Sequence, residues 1–173
     1  MHFTTLIPTT LALLLTTASA LPASVTTHSK MFTGNPFELT HLSVDRVEAA
    51  NVTLEFTIHN PDPLANTTAT CTGSWPYNSM GWPTSIYEGC GNSSFAWHMR
   101  DFDEWEGGFV LEVKDTFKDP SVGQPPYDQV TIFGSAKFGA DVVTCTPNDG
   151  GELCAQAANS TVKAPIDRTI AKR

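Results

Sequence analysis

Three groups of residues carry the side-chain types that do chemistry. They are the acidic run Arg100-Asp101-Phe102-Asp103-Glu104-Trp105-Glu106, the histidines His28, His41, His59 and His98, and the cysteines Cys71, Cys90, Cys145 and Cys154. Hydrolysis needs a nucleophile beside a base, or two carboxylates facing each other across a cleft. Asp101, Asp103 and Glu104 supply carboxylates, but a glycosidase needs another acidic residue opposite them, which spacing alone does not place. The same oxygens suit Ca²⁺, yet the run lacks the glycine at the sixth loop position and the closing glutamate of an EF-hand. A solvated connection between two strands is the commoner outcome for such a run. No G-x-S-x-G, H-E-x-x-H or phosphate-loop pattern surrounds any histidine, so each is read as a surface or packed residue.

The cysteines are even in number, and in an oxidising compartment that makes a disulfide framework. Three connectivities are open. The in-order pairing, Cys71 with Cys90 and Cys145 with Cys154, is expected because each bridge then closes one local loop between neighbouring strands. A loop of this size stabilises by roughly 3 kcal/mol in the chain-entropy model. Zinc is the competing reading, but it wants close pairs such as C-x₂₋₄-C, and the separations here are 19 and 9 residues.

The compartment follows from the first twenty residues, MHFTTLIPTTLALLLTTASA, which have no Asp, Glu, Lys or Arg, an apolar stretch at Leu11–Leu15 and a small-residue Ala-Ser-Ala end. This is the pattern of a secretory signal peptide, too short to span ~30 Å of hydrocarbon. The mature part, expected to start near Leu21, holds all 18 acidic and all 10 basic residues, a formal charge of −8. Without clustered Lys and Arg, nucleic acid is not an expected partner, and no later segment reads as a membrane span. Four N-x-[ST] sequons, at Asn51, Asn66, Asn92 and Asn159, are candidate glycosylation sites and must then face solvent.

The elements that position these residues read as strands. Residues 21–36 are polar and aperiodic and are expected to form a flexible leader. FELTHLSV alternates through Leu39 and shifts phase at His41-Leu42, as a bulged strand does. VTLEFTI puts Val52, Leu54, Phe56 and Ile58 on one face. Shorter alternating runs follow at Ala69–Gly73, Ile86–Cys90, Phe95–Met99, Phe109–Val113, Val130–Phe138 and Val142–Thr146, separated by Gly- and Pro-rich turns. Val143–Cys145 is expected to pair with a strand beginning near Cys154 across an Asn-Asp-Gly-Gly turn. No window sustains a period of 3.6, so the expected fold is all-β, a single antiparallel β-barrel or sandwich at 37–165, with a flexible tail at 166–173.

Trp75, Tyr77, Trp82 and Tyr87 lie inside the loop that the first disulfide would close. Exposed aromatics stack on sugars, flat phenolic compounds or a partner's proline; packed ones build core beneath the disulfide. In either case the loop is rigid, and rigid loops on a β scaffold are where recognition resides.

Phe56-x-Ile58-x-Asn60, then Cys71, a tryptophan-bearing loop, Cys90-Gly91-x-x-Ser94-Phe95, an acidic region opening at Phe102, Phe109-x-Leu111-x-Val113 and the late pair Cys145 and Cys154 together resemble the Alternaria major-allergen family of small secreted fungal proteins. The likeness spans Phe37 to Pro165 and rests on cysteine placement and the CGNSSF stretch. It implies an antiparallel β-barrel with two local disulfides, no established catalytic residues, and roles as allergens or secreted effectors that meet plant defence proteins or apoplastic ligands. Some members dimerise with small phenolic compounds near the interface. This chain has no mature cysteine before Cys71, so an interchain bridge near the N-terminus is impossible and any dimer is non-covalent. The expectation is a secreted, cofactor-free, non-enzymatic recognition protein. It would engage a host extracellular protein or small phenolic ligand through Trp75, Tyr77, Trp82 and Tyr87, as a monomer or non-covalent dimer. A carbohydrate-binding module using the same aromatics, and a hydrolase using the acidic run, are the competing readings.

Overall fold

A computed structural model describes residues 34–48, 50–77, 86–104, 108–148 and 150–171, the side chains of Asp103 and Glu104 excepted. The segments expected to be a signal peptide and a leader lie, up to residue 33, outside the described residues, as does Trp82.

Strands β1 (Phe37–Val47), β2 (Asn51–Asn60), β3 (Thr67–Pro76), β8 (Val143–Asn148), β9 (Gly151–Gln156) and β10 (Val162–Ala164) form one sheet in the order β3-β2-β1-β9-β8, with β10 also pairing β1. Strands β4 (Glu88–Gly89), β5 (Phe95–Glu104), β6 (Gly108–Lys118), β7 (Gln129–Phe138) and β11 (Ile166–Ala171) form the second, in the order β11-β7-β6-β5-β4. All pairings are antiparallel. The two sheets do not close on each other, so the fold is a β-sandwich and not the barrel that the family resemblance implies.

The core is the product of strict alternation. Val52, Leu54, Phe56 and Ile58 of β2 are all buried, as are Phe109, Leu111 and Val113 of β6 and Phe95, Trp97 and Met99 of β5. Rings from the two sheets meet edge to face, Phe37 with Phe95 at 6.3 Å and Phe56 with Trp97 at 5.6 Å between centroids, the geometry that aromatic quadrupoles prefer. Polar residues continue the inward register at one end. Asn60 follows Ile58 and Asp115 follows Val113; both are fully buried, and the Asn60 Nδ2 donates to Asp115 Oδ2 at 2.8 Å while Ser94 Oγ donates to Oδ1 at 2.5 Å. A buried carboxylate thus joins the sheets with both oxygens satisfied.

The phase shift in β1 is a bulge between Thr40 and Ser43, with His41 at φ 56°. A bulge leaves ladder groups unpaired. Here the Gln156 side chain meets them: its Oε1 accepts from Leu42 N at 3.1 Å and its Nε2 donates to Leu39 O at 3.3 Å.

Both disulfides pair in order, Cys71–Cys90 and Cys145–Cys154. The first ties β3 of one sheet to the end of β4 in the other. The second joins residues directly opposite each other in the β8–β9 pair; β9 begins at Gly151, three residues earlier than the sequence suggested.

Three expectations need correction. Residues 166–171 are not a flexible tail: β11 pairs with β7 from Ile166 to Ala171, its irregular alternation explained by a bulge between Ile166 and Arg168. Only Glu88 and Gly89 of the Ile86–Cys90 run are strand, and Ile86 is 70% exposed. The acidic run is not simply a connection, because β5 extends through Asp101 to Glu104, and β6 begins at Gly108.

Candidate functional site

The outer face of the second sheet gathers most of the chemistry-bearing side chains. Glu88 pairs with Trp97, which sets Tyr87 beside His98 on the outward side. His98 stands opposite Glu112 across β5–β6, Lys114 opposite Phe133 across β6–β7, and Phe133 opposite Arg168 across β7–β11. Two adjacent rows of side chains, Tyr87–His98–Glu112 and Lys114–Phe133–Arg168, therefore meet on β6 and together cross this face of the sheet.

Glu112 is its centre, with a side chain 12% exposed. Its Oε1 accepts a hydrogen bond from the Tyr87 hydroxyl and another from Arg168 Nη2 at 2.9 Å. His98 Nε2 lies 3.6 Å from the same oxygen and Arg100 Nη1 3.8 Å from Oε2. The Tyr87 ring packs against His98 at 4.5 Å and Phe133 at 6.2 Å, with Lys114 Nζ 4.1 Å from its centroid; the Arg168 guanidinium covers the Phe133 ring at 3.9 Å. These contacts explain how Phe133 can point outward and still be buried.

Burial pushes the Tyr87 phenol far above its ordinary range, reinforced by its hydrogen bond to Glu112. Burial pushes the Glu112 carboxyl up as well, but the Tyr87 hydrogen bond, the Arg168 guanidinium and His98 outweigh it and hold the group below the usual carboxylate value. Glu112 is thus an ionised acceptor already engaged by several donors, and protonating it means breaking them. That suits a fixed surface better than proton transfer at neutral pH.

The four aromatic candidates do not form one patch. Trp75 continues the inward register of Cys71 and Gly73 in β3 and is only 4% exposed, so it is mainly core, with its edge at a groove on the first sheet. Tyr77 packs partly buried against that core, with the Arg46 guanidinium 5.6 Å from its ring centroid. Of the three described aromatics only Tyr87 reaches the second sheet's outer face; Trp82 lies outside the described residues. Of the acidic run, Asp101 is exposed and 3.9 Å from Arg100; the side chains of Asp103 and Glu104 lie outside the described residues. His41 sits exposed at the β1 bulge, and His59 Nδ1 contacts Thr67 O at 3.1 Å and Thr68 Oγ1 at 3.0 Å. His28 lies outside the described residues.

Cys145, Glu152 and Cys154 are the only metal-capable grouping among the described residues. The two sulfurs are bonded to each other and offer no thiolate. Asn51, Asn66, Asn92 and Asn159 are all exposed, and Asn66 and Asn159 occupy left-handed turn positions at φ 39° and 61°.

No protein-family model matches the chain, and no curated protein matches it. The likeness to the Alternaria allergens therefore stands on the quoted residues alone. No helix among the described residues is long and apolar enough to cross a membrane.

Glu112, Lys114, Phe133 and Arg168 were not singled out in the sequence. The alternation of β6 and β7 marks Glu112, Lys114 and Phe133 as outward-facing, but nothing local reveals that one carboxylate would collect donors from Tyr87, β5 and β11.

Proposed function

We propose that this chain is a secreted, non-enzymatic recognition protein whose contact surface is the outer face of the second sheet. The observation that carries the reading is a charge inversion. In a chain of net charge −8, the outward side chains described for this sheet include Arg100, Lys114, Lys118, Lys137 and Arg168, half of the chain's ten Lys and Arg residues, against Asp101, Glu112 and Asp167, with Glu104 also at an outward register position opposite Gly108. A locally cationic face with fixed aromatic rings steers and docks an acidic partner. Its breadth across five strands suits a protein surface better than a small phenolic compound. Tyr87 supplies the aromatic anchor that such interfaces favour, and Phe133, covered by the Arg168 guanidinium, supports it from beneath. The pairing around Glu112 holds these groups in place before a partner arrives, which lowers the ordering cost of binding. The resemblance to the Alternaria allergens points in the same direction, toward a host extracellular protein.

The test is capture of extracellular proteins on immobilised mature chain, compared with an Arg100→Glu/Lys137→Glu variant. Reversing rim charges is expected to cut capture and its salt dependence while leaving the melting temperature within a few degrees. Equal capture by both proteins would contradict the reading.

A further inference from the structure

The first sheet's outer face is the chemical opposite of the second. A groove of about 580 Å³ runs over it, its polar lining made by Ser43, Thr53, Glu55, Thr72 and Ser74 with Glu88 reaching it from the other sheet, and Leu54, Gly73 and Trp75 contributing the rest of its wall. None of the six polar side chains makes a hydrogen bond or ion pair within the described structure, whereas the polar groups around Glu112 are tied to one another. The lining therefore presents four hydroxyls, which donate and accept, and two carboxylates, which accept only. No Lys or Arg lines it, which disfavours an anion. Unspent hydroxyls beside carboxylates are complementary to a neutral, hydroxyl-rich ligand, that is, to a saccharide.

The position of one sequon supplies the occupant. Asn51 opens β2, and side chains alternate along a strand, so Asn51, Thr53 and Glu55 follow one another on the same outer face. Asn51 pairs with Pro76 and Thr53 with Ser74, so the sequon asparagine stands one row beyond the groove's end, about 7 Å along the strand from Thr53. Asn66, Asn92 and Asn159 lie on turns elsewhere.

We infer that the groove seats the chain's own Asn51-linked glycan, an inference that rests on the secretory reading of the protein. The sugar nearest the asparagine lies over Thr53 and Ser74, and its hydroxyls and acetamido N–H donate to Glu55 and to the hydroxyl row of β3. The glycan thereby covers the first sheet's outer face and leaves the second sheet as the open surface.

The experiment uses the full chain secreted from a eukaryotic cell, with site-by-site mass spectrometry during native digestion by an amide-cleaving glycosidase. Release from Asn51 is expected to be about fivefold slower than from Asn92, the worth of one net hydrogen bond. In a Thr72→Val/Ser74→Val variant the two rates should converge; both are exposed strand positions where a β-branched residue fits, and an unchanged melting temperature after deglycosylation verifies the fold. Equal rates in the natural sequence, slow release that persists in the variant, or an empty Asn51 beside occupied neighbours would overturn the inference. So would binding of free saccharides in this groove by the glycosylated chain. If no sequon carries sugar, the secretory reading falls first and this inference with it.

Discussion

Glu112 is ionised, half-surrounded by donors and placed where four strands converge, and each of those facts has a measurable consequence. Its folded carboxyl sits below the value of about 4.3 expected when unfolded. The stability it contributes is therefore present above that value and lost as pH falls through the folded one. Thermal melts between about pH 2 and 7 should show Glu112→Gln less stable at neutral pH, with a flatter acid limb than the parent. Tyr87 runs the other way: its phenol is raised above an unfolded value of about 10, so its contribution is present below that pH and lost as pH rises further. A spectroscopic titration should show a late phenolate that is absent in Tyr87→Phe. The buried Asp115 is a separate case. Asp115→Ala strands Asn60 and Ser94 and should cost roughly 3 kcal/mol in denaturant unfolding. That network was legible in principle, because Asn60 and Asp115 occupy inward positions of apolar alternations, where a polar residue needs a partner. Which partner it finds is set by how the sheets stack, and no local pattern encodes that.

Among the elements, β1 shows how far local pattern reaches. The phase shift at His41-Leu42 predicts the bulge, but not the Gln156 amide that completes its hydrogen bonds from β9, more than a hundred residues away. Gln156→Leu should cost about 1–3 kcal/mol, because two backbone groups lose their partner in a buried site. β2 was readable throughout, since its alternation is unbroken. β11 was not. Asp167 and Arg168 interrupt its apolar pattern, and what makes it a strand is the free edge of β7, together with Arg168 reaching Glu112 and Phe133. Removing residues 166–173 should accordingly lower the melting temperature by several degrees, where loss of a frayed tail would leave it unchanged.

At the scale of the whole molecule, the two disulfides differ in what they join. Cys71–Cys90 spans the two sheets, whereas Cys145–Cys154 reinforces a hairpin already laddered by β8 and β9. Replacing the first pair with serines should therefore lower the melting temperature more than replacing the second. The all-β class, the pairing of cysteines and most of the core were legible because alternation and turn residues are local signals. Open sandwich and closed barrel share those signals, and only the pairing at the sheet edges separates them. The same holds for the face proposed to meet a partner: Tyr87 could be picked out as an aromatic, but its place on a cationic face arises from the register of five strands. Oxidative surface labelling in the presence of extracellular proteins that the chain captures tests that face most directly. Labelling of Tyr87 and His98 should fall while the exposed Tyr127 and Leu64 stay reactive; protection of Tyr127 and Leu64 with Tyr87 and His98 unchanged would place the contact elsewhere and contradict the account.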